Sequence, residues 1–447
     1  MRISRRSFLQ QLAAGAATAP FITRGLLAQS PNGKIHHATF GAAGMAWSDV
    51  TAIAEHPAVT VVAACDVDLS RTAEFRKKFP NAHIYRDFRE LLDTEKDLQT
   101  VNVSTPDHMH APIGMTAMQR GLHVYGQKPL THDLYETRRL TEVAREKKLV
   151  TQMGIQIHSG SEYRTAVKVV QDGVIGKIKE VHTWSNKAWG DTDAKPNRVD
   201  EVPDDLDWHL WLGVCSERPF IGDGWYHPTN WRKRLDFGTG TFGDMGCHIF
   251  DPVFEALALT APVSVRSEGS APNEHSWAFD AVIKYVFPGT AFTESETVAV
   301  TWYDGKQRPP VEVQTLAKVS RAAAGDKRNK LPGQGSIFIG TQGVMLLPHI
   351  GQPRLVGEAS EDSKIEEVQG EDHWRQFVEA ALGNGKTSAN FDYAGPLTES
   401  VLLGSVASRF SNTTLEWDAR KLRFANVSEA NQFVRRTYRK GWEVAGL

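Results

Sequence analysis

Hydrophobic and polar positions follow two different patterns along the chain. Between residues 34 and about 155, short continuous apolar runs alternate with stretches of helical character. Continuous apolar strands that alternate with helices are typical of a parallel sheet covered on both faces. The pattern predicts strands at 34–40, 59–68, 98–104, 122–126 and 149–154, and helices at 41–56, 70–79, 87–92, 108–119 and 133–147. This order predicts a doubly wound nucleotide-binding (Rossmann) domain at 34–155.

The second half of the chain alternates apolar and polar residues with a period of two. This pattern indicates antiparallel strands that bury one face. It is found at 261–270, 275–289 and 293–305, with a further hairpin at 337–348. Helices are predicted at 373–382 and 396–409, before a polar tail. We therefore predict a second, α+β domain at 156–447 with a large, mostly antiparallel sheet.

The first 28 residues have the pattern of a twin-arginine export signal. Arg5 and Arg6 precede Phe8-Leu9 and a weakly apolar stretch interrupted by polar residues. That stretch is too short and too polar to cross a bilayer core of about 30 Å. We expect a folded protein exported by the twin-arginine translocation machinery to the periplasm or beyond, without a stable membrane span. The alternative interpretation is a disordered basic tail.

Composition excludes several classes of protein. The 447 residues include 51 Lys and Arg against 53 Asp and Glu, a formal net charge of −2, which gives no electrostatic footprint for nucleic acid. Three Cys are too few and too scattered for a disulfide scaffold or a Cys-based zinc site. His108 and His110 have no third ligand in obvious spacing, so no metal site is predicted.

A glycine-rich turn follows the first predicted strand. Gly41 and Gly44, with Met45 after them, occupy the place of a dinucleotide-binding fingerprint, although Ala43 puts a methyl group where the backbone would approach a pyrophosphate. Asp66 ends the second strand, 25 positions after Gly41. A carboxylate there accepts hydrogen bonds from a ribose diol and repels a 2′-phosphate. The pattern therefore favours NAD over NADP.

Three further segments resemble the Gfo/Idh/MocA oxidoreductases: Ser104 to Ala111, Tyr125 to Leu130, and Gly238 to His248. The stretch 163–176 is similar to the helix that enters the second domain of that family. The resemblance is greatest to exported, twin-arginine-tagged members, among them glucose–fructose oxidoreductase and NAD-dependent N-acetylgalactosaminidases. It implies NAD(P)-dependent chemistry on sugars, inositols or glycosides, an open second sheet that builds homo-oligomers, and a cofactor lying along Ser104, Thr105, Pro106, His110, Gln127 and Lys128.

Three residues are candidates for proton chemistry. Lys128 follows an apolar strand at the sheet edge where such folds bind ligands, and its ammonium can hydrogen-bond a reacting hydroxyl. Asp244 and His248 are four residues apart, which puts both on one face of a helix beginning near Thr241. The resemblance implies that His248 is the proton acceptor, with Asp244 orienting it or binding a hydroxyl. Gln127 departs from the family's usual Glu and cannot help keep Lys128 protonated.

Substrate contacts are expected from a tryptophan-rich region, because aromatic faces stack on sugar rings. Residues 184–231 hold six of the chain's 12 Trp. Trp208 and Trp211 lie in a helix-like run and are predicted to be core. The predicted substrate contacts are Trp189, Trp225 and Trp231 in a polar loop, together with Lys187, Tyr226, Arg232, His158 and Asp251.

The sequence leaves three functions open. One is an oxidoreductase that moves a hydride from a ring carbon of a sugar and keeps its NAD tightly bound. Another is an NAD-dependent glycosidase or lyase that works through a transient 3-keto intermediate. The third, from another class, is a non-catalytic carbohydrate- or nucleotide-binding protein, since fold does not settle function.

Overall fold

The computed structural model describes residues 34–319, 330–357 and 365–447. Its first domain contains a six-stranded parallel sheet in the order β3-β2-β1-β4-β5-β6. The strands are β1 (Ile35–Phe40), β2 (Val59–Cys65), β3 (His83–Tyr85), β4 (Thr100–Val103), β5 (His123–Gly126) and β6 (Thr151–Met153). This order confirms the predicted Rossmann fold. The sequence did not predict β3, a three-residue edge strand that is partly exposed.

Five helices cover this sheet: α1 (Met45–Ile53), α2 (Ala73–Lys78), α3 (Phe88–Thr94), α4 (His110–Gln119) and α5 (Leu134–Glu146). Their starts are set by local chemistry. Asp133 and Glu136 form a capping box, in which each side chain accepts a hydrogen bond from the other's backbone N–H. The predicted turn and helix at 41–56 are present: a turn with positive φ angles at Gly41 and Gly44 precedes α1, which begins at Met45.

The second domain is built on a nine-stranded sheet in the order β13-β12-β11-β7-β10-β9-β8-β14-β15. Neighbouring strands are antiparallel except β7 and β10, so the predicted mostly antiparallel sheet is confirmed. The strands are β7 (Ile178–Ser185), β8 (Ser264–Ser267), β9 (Val282–Pro288), β10 (Thr297–Tyr303), β11 (Gln334–Gly340), β12 (Val344–Pro348), β13 (Arg354–Val356), β14 (Thr414–Asp418) and β15 (Arg423–Phe424).

Helices of the second domain pack against its sheet, against one another or against the first domain. They are α6 (Ser161–Gln171), α7 (Trp208–Leu212), α8 (Gly240–Ile249), α9 (Asp251–Ala256), α10 (Val311–Leu316), α11 (His373–Ala381) and α12 (Phe391–Ser408). Helix α12 contacts α5 and β6, and α11 contacts α1. The predicted start of α12 at Pro396 is wrong: the Asn390 side chain caps the helix, and Pro396 lies inside it.

The predicted export signal at residues 1–28 lies outside the described residues, and so does most of the basic run 318–330. None of the helices in the described ranges combines the length and apolar character needed to span a bilayer.

A bidentate ion pair links the two domains. Arg138 of α5 donates from Nε and Nη2 to the two carboxylate oxygens of Glu399 on α12, at 2.7 and 2.8 Å. The Glu399 side chain is 8% exposed. A second pair, Arg145 with Asp392, joins the same two helices, but both of its side chains are more than half exposed.

Replacing Arg138 should therefore lower the stability of the fold far more than replacing Arg145. We expect Arg138→Met to lower the free energy of unfolding by about 3 kcal/mol, because it leaves a buried carboxylate unpaired. Arg145→Met should cost less than about 1 kcal/mol, since water screens the exposed pair. Urea denaturation of both variants measures the difference. Equal losses would contradict the dependence on burial.

Candidate active site

A cleft opens at the carboxyl ends of β1, β2, β4 and β5, where the loops of the first domain face α8 and the loop before it. Open α/β sheets bind ligands at this edge. All ten residues predicted to contact the cofactor line this cleft: Gly41, Gly44, Met45, Asp66, Ser104, Thr105, Pro106, His110, Gln127 and Lys128. The second domain contributes Trp231, Arg232 and Asp244 to the same wall.

The turn between β1 and α1 can hold a phosphate group. Gly41 has φ +96°, and a Cβ there would lie 2.8 Å from the Ser104 carbonyl oxygen. Gly44 is the N-cap of α1 with φ +62°, and no side chain caps the helix. The first N–H groups of α1 are therefore free to bind an anion. Ala43 of this turn also lines the cleft.

Asp66 braces this turn from the end of β2. Its Oδ2 accepts a hydrogen bond from Ala42 N at 2.9 Å, and its Oδ1 accepts one from Asp68 N at 3.0 Å. Burial raises the pKa of Asp66. Arg71 and Arg86 also line the cleft, and the sequence analysis missed both. A bare backbone turn, a carboxylate and two cations suit the phosphates and ribose of a dinucleotide.

Gln127 is held by a buried carboxylate that the sequence analysis also missed. Asp49 of α1 is fully buried, and its Oδ2 accepts hydrogen bonds from Gln127 Nε2 at 2.9 Å and from Ser104 Oγ at 2.8 Å. Trp374 Nε1 donates to Oδ1 at 3.0 Å. A Glu at position 127 would place a second carboxylate against Asp49, so the amide is the compatible group. The sequence signal that could have identified Asp49 is an acidic residue on the apolar side of α1.

Lys128 and Asp244 are in direct contact across the cleft. Lys128 Nζ lies 2.7 Å from Asp244 Oδ1 and 2.9 Å from its backbone carbonyl oxygen. The Arg232 guanidinium approaches the same Oδ1, with its Nε at 3.3 Å. Burial acts to raise the pKa of Asp244, but the charges of Lys128 and Arg232 hold it well below its usual range. Asp244 is therefore a carboxylate at neutral pH, and it holds Lys128 in place.

His248 lies one turn further along α8, in a recess next to the cleft. This recess is shared with His349, whose ring centroid is 5.6 Å from that of His248. Burial and the charge of Lys128 lower the pKa of His248, and its Nδ1 is buried without a hydrogen-bond partner among the described residues. Burial also lowers the pKa of His349 to about 4, with help from Lys128 and Lys187. Two neutral imidazoles therefore lie beside the ion pair. The sequence analysis missed His349.

Arg232 connects the ion pair to two of the predicted aromatic contacts. Its guanidinium lies 4.2 Å from the Trp231 ring centroid and 5.5 Å from that of Trp189. Trp231 and Arg232 line the cleft, whereas Trp189 is half-buried behind them and Lys187 is exposed away from the cleft wall. The substrate contacts of Trp189 and Lys187 stay predictions.

Four other predicted residues lie away from the cleft. Tyr226 is 3% exposed inside an aromatic cluster with Trp208 and Trp211, and Trp225 packs under Arg234. His158 and Asp251 form a buried pair at 3.0 Å, and the Asp251 carboxylate also accepts hydrogen bonds from the hydroxyl groups of Tyr163 and Tyr393. Because the polar groups of His158 and Asp251 are hydrogen-bonded in the interior, neither side chain reaches the cleft. Trp211, predicted to be core, is buried and also contributes to the cleft wall.

Fold and site together define a dinucleotide-binding α/β protein with a Lys–Asp pair at its cleft. The chain belongs to the oxidoreductase family with an NAD-binding Rossmann fold, GFO_IDH_MocA. The family's Rossmann model matches residues 35–155, and its C-terminal alpha/beta domain model matches residues 160–289. This confirms the resemblance stated from the sequence. The likeness to glucose–fructose oxidoreductase stays a prediction.

The matches to curated relatives span between about a quarter and a half of this chain and of each relative. Levoglucosan dehydrogenase from Pseudarthrobacter phenanthrenivorans is 24% identical over 51% of this chain and 49% of that protein. The NADP(+) scyllo-inositol 2-dehydrogenase from Bacillus subtilis is 23% identical over 47% and 48%.

Solved structures share the fold over most of the chain. The WlbA dehydrogenase from Bordetella pertussis, in complex with NADH and UDP-GlcNAcA, superimposes with a TM-score of 0.61 over 86% of this chain and 99% of that one, at 13% identity. Levoglucosan dehydrogenase in complex with NADH and levoglucosan gives a TM-score of 0.56 over 86% and 99%, at 16% identity.

The close approach at Gly41 yields a matched pair of variants. Gly41→Ala adds a Cβ against the Ser104 carbonyl, so we expect the turn to move and the Kd for NAD+ to rise about tenfold, which is about 1.4 kcal/mol. Gly121→Ala adds the same strain at φ +83° with nothing within 4 Å. It should keep the wild-type affinity. Isothermal titration calorimetry measures both, and an unchanged Kd for Gly41→Ala would argue against cofactor binding at this turn.

Proposed function

We propose that this protein is an NAD-dependent oxidoreductase that acts on a secondary alcohol on the ring of a sugar or glycoside. The observation that carries the proposal is the Lys128–Asp244 ion pair, placed where the dinucleotide cleft meets Trp231 and Arg232. The names of the relatives support the substrate class, since levoglucosan and scyllo-inositol both carry ring hydroxyl groups.

The cofactor would lie along the carboxyl edge of the sheet. The Gly41–Gly44 turn and the start of α1 would bind its pyrophosphate, with Arg71 nearby, and Gln127 would hydrogen-bond a ribose. When bound, the nicotinamide supplies the hydride acceptor. Asp66 supports NAD over NADP, because its carboxylate would repel a 2′-phosphate at the end of β2. We propose tight binding, which suits a protein exported already folded.

Lys128 would hydrogen-bond the reacting hydroxyl and stabilise the negative charge that develops on its oxygen. Asp244 holds the ammonium group of Lys128 in place. When a substrate hydroxyl replaces part of the contact between Lys128 and Asp244, the ammonium would turn toward the substrate. His248 is the proposed proton acceptor, as the resemblance to the family implies. Burial and the charge of Lys128 lower its pKa and keep its imidazole neutral before the reaction. Trp231 and Arg232 would then contact the sugar ring and its hydroxyl groups.

Replacing Lys128 tests this mechanism directly. Lys128→Met keeps the length of the side chain and removes its charge, so we expect kcat to fall by at least about 100-fold while NAD+ affinity is retained. Lys168→Met is the control, since Lys168 is on the outer side of α6 and pairs with Asp172. Turnover is followed as NADH formation across a panel of sugars, inositols and glycosides, with release of the aglycone measured in parallel. A Lys128→Met variant with the wild-type rate would remove Lys128 from the mechanism.

Cofactor retention is tested on protein purified without added nucleotide. We expect denaturation to release roughly one NAD(H) per chain, because the dinucleotide would fill a deep cleft between two domains. Mass spectrometry and absorbance of the released small molecules measure the amount and distinguish NAD from NADP. Protein that is empty and also fails to bind added NAD+ would overturn the redox function and favour a ligand-binding role.

A further inference from the structure

A second cavity lies on the other side of the loop that precedes α8. Its volume is about 380 Å³, within the range of small-molecule sites. We call it the Arg409 cavity. It is enclosed by α12, the loops at 132–134, 215–216 and 235–239, and the C-terminal segment 432–437. It shares no lining residue with the dinucleotide cleft.

Arg409 brings a charge into this cavity without an ionic partner. The guanidinium lies over the rings of Trp277 and Phe433, at 4.8 and 4.5 Å from their centroids. Among the described residues, it forms no salt bridge or side-chain hydrogen bond. Burial lowers its pKa to about 10, so it remains charged at neutral pH. Arg409 is half-buried, and taking part of a cation out of water without a counter-ion costs free energy.

Further polar atoms of the lining are also unsatisfied. Arg436 uses Nη2 to contact Cys215 Sγ at 3.0 Å and the Asp236 carbonyl oxygen at 3.1 Å, but its Nη1 is buried without a partner. His132 Nε2 and Ser405 Oγ are also buried without a hydrogen-bond partner among the described residues. More than nine in ten buried polar groups in proteins have a partner, so a cluster of exceptions around one cavity needs an explanation.

The carboxylates near the cavity do not accept hydrogen bonds from the unpartnered guanidinium donors. Asp236 is 2.6 Å from the guanidinium of Arg218, which lies outside the cavity. Asp133 accepts hydrogen bonds from the backbone N–H groups of Glu136 and Arg436. The Glu274 side chain is 93% exposed at the rim. Burial acts to lower the pKa of Arg436, but nearby charges, among them those of Glu136 and Asp133, raise it. Within the described residues, however, no carboxylate accepts a hydrogen bond from the guanidinium group of Arg409 or Arg436.

We propose that the Arg409 cavity binds a small hydroxylated oxyanion, a phosphate or carboxylate that pairs with Arg409 and Arg436. Guanidinium groups present planar N–H pairs that match both kinds of oxyanion. His132 and Ser405 would bond to hydroxyl groups of the same ligand, since a neutral imidazole and a hydroxyl exchange hydrogen bonds with alcohols. A sugar phosphate and a sugar acid carry both features. The site is separate from the proposed redox function and does not depend on it.

The test titrates anions into the full-length protein with NAD+ at saturation, so that phosphate cannot bind at the cofactor turn. The probes are inorganic phosphate, glucose 6-phosphate and gluconate, with glucose as the neutral control, in a low-chloride buffer. Calorimetry and the thermal midpoint are read up to about 10 mM, where a millimolar site stabilises measurably. We expect one anion site per chain for at least one anion. Glucose belongs to the proposed substrate class, so any glucose binding at the dinucleotide cleft should be the same in wild-type protein and in Arg409→Gln. The phosphate and gluconate arms show which oxyanion is preferred.

Variants locate the site. Arg409→Gln should weaken anion binding about tenfold or more, as expected for a lost charged hydrogen bond. Arg435→Gln is the matched control, because Arg435 is exposed over Tyr135 and outside the cavity. Ser405→Ala, within α12, is a milder second variant that preserves the helix. The proposal is overturned if no anion binds to the wild-type protein, or if Arg409→Gln and Ser405→Ala both bind the anions like Arg435→Gln.

Discussion

The ion pair between Lys128 and Asp244 is the contact on which the cleft depends. Lys128 follows β5 of the first domain and Asp244 belongs to α8 of the second, so the pair joins the domains across the site itself. Both side chains are largely buried, and each compensates the cost of taking the other out of water. A shift of α8 would leave Lys128 without its counter-ion and Asp244 with Arg232 alone. The same ion pair therefore determines both the relative position of the domains and the electrostatics of the cleft.

A second buried centre, Asp49, holds the cofactor side of the cleft. Its carboxylate gathers hydrogen bonds from Ser104 after β4, Gln127 after β5 and Trp374 of α11. Segments that are distant in sequence thus converge on one side chain of α1. The C-terminal part of the chain, through α11 and α12, supports the nucleotide-binding domain as well as its own sheet. This support fixes the walls of the cleft while leaving the Gly41–Gly44 turn open for a phosphate.

Local pattern predicted the first domain well and the second in part. Continuous apolar runs and glycine turns depend on interactions within a few residues, so five of the six parallel strands and ten residues that line the cleft could be named. Strand β7 was missed because it buries His182, Thr183 and Ser185, which pair with Tyr303, Thr301 and Gln334 on neighbouring strands. Strands β14 and β15 lie where no element was assigned. Asp251 and His158 are polar residues of the interior, and polarity alone suggested a ligand contact.

By itself, the sequence determined the Rossmann order of strands and helices, the turn at Gly41, the acidic end of β2, and the spacing that puts Asp244 and His248 on one helical face. Each of these follows from interactions between residues close in the chain. Tertiary structure alone decided that Lys128 meets Asp244, that Asp49 makes Gln127 the compatible residue, and that Arg409 has no ionic partner within residues 34–319, 330–357 and 365–447. The physical reason is that the pairing of a buried charge depends on residues far apart in sequence, and only packing brings them together.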